Sequence, residues 1–171
     1  NLVYAVMNAF YIACSSFVGQ NYGAGKADRV RKSYLLTLAY SAFVAGFFGM
    51  LFLLFGREFL SLFTSESAVI DAGLERIRIM CFVFPLSALM DDTTAAARGI
   101  GKGLVPMIFV FLGSCVFRVI WIYTVFAYFH TISSLYLLYP FSWIITGAAE
   151  IFYFLYSYKK IVVPLGASRK A

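Results

Sequence analysis

The chain has 171 residues, of which 62% are hydrophobic and only 13% charged, with a formal net charge of +6. A soluble domain carries about 25% charged residues, and here the hydrophobic excess is gathered into long runs, which excludes an ordinary soluble domain. The basic excess sits in short loops between those runs, which argues for a membrane topology signal and against nucleic-acid binding.

A membrane-crossing helix needs about 20 predominantly apolar residues, and five stretches reach that length. The first covers residues 1–19, with no charge before Lys26. It has no basic leader or small-residue cleavage site, so it is not a signal peptide. A chain beginning with Asn1 is expected to be a fragment whose start lies upstream. The second stretch covers 33–56. A more polar segment, 57–76, follows, in which Ser67 is expected to cap a short helix with Asp71 in its first turns. The third stretch covers 77–97, the fourth 104–128 and the fifth 134–158. Residues 159–171 form a basic tail. No segment alternates with period two, so the expected fold is all-α, a polytopic bundle of about five membrane helices. Pro106 falls in a first helical turn, where it costs little. Pro85 and Pro140 fall inside the third and fifth stretches and should kink them.

Charge sets the orientation. Lys26, Arg29, Arg31 and Lys32 in the first loop, Arg98 and Lys102 in the third, and Lys159, Lys160, Arg169 and Lys170 in the tail make ten of the fourteen basic residues. All fall on one side if every stretch crosses. Arg57, Arg76 and Arg78 on the other side are diluted by Glu58, Glu66, Asp71 and Glu75. The positive-inside rule makes the first side, and the C-terminus, cytoplasmic.

Four ionisable residues fall inside the stretches: Asp91, Asp92, Arg118 and Glu150. An acid or Arg at the bilayer centre costs about 2.5–3.5 kcal/mol on insertion scales unless paired or wetted. At about 1.5 Å rise per residue, Asp91 and Glu150 lie about 10 and 12 Å from the basic side, and Arg118 about 10 Å beyond them. Ser87, Asp91 and Thr94 share one helix face. Two roles stay open. Arg118 neutralises an acid and locks helices together, or a carboxylate exchanges H⁺ or Na⁺ as a water-filled cavity opens and closes. Burial favours the neutral carboxyl, which suits a proton carrier. Aromatics near the outer ends, among them Trp121, Tyr123, Tyr128, Tyr136 and Tyr139, either anchor the interface or line a cavity for an apolar cation. Tyr139, Trp143 and Phe117 are the cavity candidates.

Enzyme chemistry finds little support. Asp91-Asp92-Thr93-Thr94-Ala95 lacks the third acid of a diphosphate-chelating DDxxD. Residues 99–103 lack phosphate-loop spacing. His130 is isolated, and Cys14, Cys81 and Cys115 are dispersed through apolar stretches, which gives no metal set, no cofactor site and no disulfide framework.

Four segments together carry a resemblance. "GQNYGAGKADRVRKS", 19–33, is similar to the Gly-Gln-x-x-Gly-Ala motif and basic loop of the multidrug and toxic compound extrusion (MATE) family, here Gly19, Gln20, Gly23, Ala24 and Gly25. "LFTSESAVIDAGLERIRI" resembles an outer segment feeding a helix. "AARGIGKGLVPM" is similar to the family's Arg-Gly-x-Gly turn, here Arg98, Gly99 and Gly101. "CVFRVIWIY" follows in the next helix. Their order and spacing match nearly the whole chain. The resemblance implies helices eight to twelve of a twelve-helix transporter, a partial C-terminal lobe without the N-terminal lobe. It implies an inner-membrane antiporter in which Na⁺ or H⁺ enters as drugs or small organic cations leave, by rocking of two lobes. Where some members carry a coupling acid, this chain has Ser87, and Asp91 and Asp92 lie a turn nearer the basic side. A lipid-linked oligosaccharide flippase of the same superfamily and a truncated, non-transporting fragment are the alternatives.

Overall fold

The computed structural model describes residues 2–168, without the side chains of residues 2–4 and 133. Among the described residues it is helical throughout, with no strand. Six helices follow one another: α1 (Leu2–Gly23), α2 (Ala27–Ser61), α3 (Ser67–Cys81), α4 (Phe84–Gly99), α5 (Leu104–Phe129) and α6 (132–168). Arg169 and Lys170 lie outside the described residues.

The two glycine-rich turns are built alike. After α1, Gly25 takes a left-handed φ of 69°, its N–H bonds Tyr22 O, and the Lys26 N–H bonds Asn21 O. After α4, Gly101 takes φ 75°, its N–H bonds Arg98 O, and the Lys102 N–H bonds Ala97 O. This paired closure satisfies carbonyls that a helix end would leave orphaned, and its left-handed residue is at no disadvantage as glycine. At the other end His130 holds φ 49°, and Thr131 caps α6 by accepting from the Ser134 N–H.

The expected third stretch, 77–97, is not one helix. The chain turns at Phe82 and Val83, dividing it between α3 and α4. Pro85 therefore lies in the first turn of α4, where its missing N–H costs little, and not as a kink within a helix. Ser67 is not the cap of α3; Glu66 holds that position, without a side-chain cap bond. Pro140 does sit inside α6. The basic tail is also not a separate unit. Helix α6 runs on through a π-helical turn, Tyr158–Val162, to Ser168. Three helices, Ala27–Ser61, Leu104–Phe129 and Ser134–Ser168, are each long and apolar enough to cross a membrane, where the sequence suggested five. Helices α3 and α4, of 15 and 16 residues, are too short singly.

Helix α4 lies at the centre, packed on α1, α2 and α6. Its Ala95, Ala96 and Ala97 are fully buried. Small residues let backbones approach, which is how helices associate where no hydrophobic drive exists between them. Around these alanines gather Cys14 and Val18 of α1, Val30 and Tyr34 of α2, and Phe154 and Val162 of α6. A close crossing joins the two motif glycines. A Cβ on Gly99 would lie 2.8 Å from Ser15 O, and one on Gly19 3.3 Å from Gly99 O. A second cluster sets Met80, Val83 and Met90 against Trp143. Helix α5 is the outermost. It packs mainly on α6 and presents Met107, Ile108, Phe111, Val119, Ile120 and Tyr123 outward.

Candidate functional site

The acids of α4 separate as helical geometry requires. Adjacent residues point about 100° apart, and Asp91 and Asp92 find different neighbours. Asp92 turns to α2, where the Ser41 hydroxyl donates to its carboxylate. Beside it the Tyr34 and Thr93 hydroxyls bond at 2.9 Å, and the Cys14 thiol reaches the Asp92 carbonyl at 3.5 Å. Asp92 is thus packed between α1 and α2, 1% exposed. Asp91 turns to α1. It is half-buried and borders a recess of about 480 Å³ with Ala5, Met7, Asn8 and Tyr11. Its one described partner is Ser87, whose hydroxyl donates at 3.5 Å. The Arg98 guanidinium lies over the Tyr11 ring, 5.7 Å from its centroid, which brings a cation to the basic-side edge of that recess.

Glu150 meets α4 from α6. Thr94 donates to Glu150 Oε1 at 2.8 Å, while Oε2 has no partner and the residue is 0% exposed. Glu150 thus meets α4 at Thr94, one turn beyond Asp91 on the same face.

Arg118 does not close an ion pair with any of these acids. Its guanidinium lies 4.7 Å from the Tyr139 centroid and donates to the Ser142 hydroxyl at 3.4 Å; Nε is buried without a partner. Ser142 precedes Glu150 by eight residues, about 12 Å along α6, too far for the side chain to span. The described ion pair is elsewhere, Arg57 with Asp71 at 2.6 Å, on the exposed surface joining α2 to α3. Such exposed pairs contribute about 0–1 kcal/mol.

The three aromatic candidates have different surroundings. Trp143 is buried in the core against Met80, Val83 and Met90. Tyr139 has its face covered by Arg118 and its edge toward Trp143, with centroids 5.8 Å apart. Phe117 packs on Trp121, whose indole N–H bonds Ser134 O at 2.9 Å.

Sequence reading missed Ser41 and Ser142 as polar partners, Thr146 as a buried hydroxyl between Ser142 and Glu150, and Gly113 as the residue that faces Thr146. A signal existed for two of them. Ser142, Thr146 and Glu150 are spaced four apart, which places them on one face of α6. Gly113 and Arg118 are five apart, a spacing that an α-helix turns by about 140°. Residues 112–116 form a π-helical turn, which aligns i with i+5. Thus Gly113 meets Thr146 while Arg118 meets Ser142, in the antiparallel order that the two helices require. No hydrophobic period announces such a turn.

The central antiparallel helices, the paired glycine closures and the Gly19–Gly99 crossing place both basic motifs at one end of the bundle. The MatE family matches residues 1–124. This chain belongs to the MatE family. The match takes in α1 to α4 and α5 as far as Thr124, so the acids of α4 and Arg118 are within the matched MatE region and Glu150 is beyond it. No curated protein matches the chain. Membership makes it a membrane protein of a transporter superfamily, which accounts for the apolar outward face of α5 and for polar side chains gathered in the interior.

Proposed function

We propose that the chain is part of a secondary active transporter in which entry of Na⁺ or H⁺ drives export of drugs or small organic cations. Asp91 is the observation that carries this reading. It is the carboxylate of α4 that borders an open recess, and it has only a long hydroxyl contact to hold it. A group so placed can gain and lose a cation without dismantling the core, whereas Asp92 is held by Ser41. The break between α3 and α4 supports the reading, because discontinuous helices build the binding sites of many secondary transporters. In this proposal the basic end and the C-terminus face the cytoplasm of a cell with an inner membrane. The lobe resembled by helices eight to twelve works against a second lobe, and the substrate lies between them.

The test is transport. Asp91→Asn should slow ion-driven efflux of a fluorescent organic cation from vesicles containing the protein, at every Na⁺ concentration and pH tried. Transport at the unaltered rate under all those conditions would overturn the coupling role of Asp91.

A further inference from the structure

Three polar atoms are buried without a partner along one seam of α6: Arg118 Nε of α5, beside Ser142, Thr146 Oγ1, against Gly113 of α5, and Glu150 Oε2, on the side where α6 meets α4. Buried polar groups are almost always satisfied by protein or ordered water. Three orphans along one line therefore point to something that occupies the line. Thr146 and Glu150 are 2% and 0% exposed. One turn of α6, about 6 Å, separates each of Ser142, Thr146 and Glu150 from the next. That spacing leaves a water's width between successive side-chain oxygens.

Two features of α5 fit it closely to the line. Gly113 is buried against the Thr146 hydroxyl, and a Cβ there would collide with Thr146 Oγ1. The π-helical turn 112–116 sets both Gly113 and Arg118 toward α6, and such turns occur often at functional sites. The titratable and charged groups around Glu150 are Asp91 on α4, Tyr11 on α1 and Tyr34 on α2. None is a cation. Arg118, the cation of the seam, is held two turns away by Tyr139 and Ser142. A carboxylate at this depth with one hydroxyl donor and no countercharge is very costly, and the neutral acid avoids that cost.

We propose that this seam is an internal proton and water site: Glu150 holds a proton on Oε2, and water links it through Thr146 and Ser142 to Arg118. The site is separate from Asp91 and stands whether or not Asp91 couples transport. Its occupants are a proton and water, and the acid end touches α4 through Thr94.

Infrared spectroscopy of the purified protein in lipid nanodiscs reads the acid directly, without transport. The expected result is a protonated-carboxyl carbonyl band that is lost in Glu150→Gln. Its frequency should shift in Thr146→Val and in Gly113→Ala, and its deuterium shift in heavy water should be slower in Thr146→Val than in the native protein. Absence of any Glu150-dependent band across the pH range in which the protein stays folded would overturn the proposal. So would a band whose frequency and deuterium exchange are the same in Thr146→Val, which would leave a lone acid unconnected to the seam. A band erased by Na⁺ and not by K⁺ would assign the seam to a metal cation instead. If Gly113→Ala fails to fold, Thr146→Val and the native exchange rate still decide the matter.

Discussion

Asp92 takes its hydroxyl partner from α2, Asp91 faces α1 and Glu150 is met by Thr94, so removing Arg118 strands none of the three acids. Arg118→Ala forfeits a cation–π contact and one long hydrogen bond, at a cost of about 0.5–2 kcal/mol. Ser41→Ala instead leaves a buried acid without its hydroxyl partner, and an unsatisfied buried polar group costs about 1–3 kcal/mol. Thermal melting in detergent should therefore rank Ser41→Ala below Arg118→Ala. The reverse order would restore the idea of an arginine–carboxylate lock. At this scale the sequence disclosed that the acids lie at membrane depth, because depth follows from counting residues at a fixed rise. It did not disclose their partners. Ser41 is 51 residues from Asp92, and only the packing of α2 on α4 joins them.

Helix crossings are where glycine identity matters most. Gly99 passes so close to α1 that a Cβ would press on backbone, which cannot move aside as a flexible side chain can. Gly99→Ala should cost about 1–3 kcal/mol or more by overpacking. Gly23→Ala, in the other glycine motif and with nothing within 4 Å of its Cβ position, should change stability by no more than about 0.5 kcal/mol. Equal melting temperatures for the two variants would show that the α1–α4 crossing is looser than described. Apolar runs disclosed α2, α5 and α6 well, since length and hydropathy mark a spanning helix. They failed between residues 77 and 97. There an apolar run crosses the turn at Phe82 and Val83, and only Pro85, read as a kink, marked the break.

For the whole bundle, the ends of α1, α4 and α6 meet the start of α2. The Tyr158 hydroxyl donates to Ala27 O at 3.1 Å, and Gly166 packs on Ala27 and Gly25. His130 lies at the opposite end, after α5. A membrane-impermeant maleimide should thus label Lys26→Cys and Lys102→Cys from one face of the membrane and His130→Cys from the other, in a background without native cysteines. Labelling of all three from one face would contradict the bundle. This arrangement was legible from the loop charges, because alternating crossings leave few ways to bring Lys26, Arg29, Arg31, Lys32, Arg98, Lys102, Lys159 and Lys160 to one side. The π-helical turns of α5 were not legible, and they have a consequence for its length. Each such turn houses one residue more than an α-helical path requires, so the 26 residues of α5 cover a span that about 24 would reach. The helix has in effect absorbed two insertions without moving either of its loops. Deleting one residue between 112 and 116 would leave the chain long enough to reach Gly103 and His130, yet it would turn Gly113 away from Thr146 and give α5 a different face toward α6.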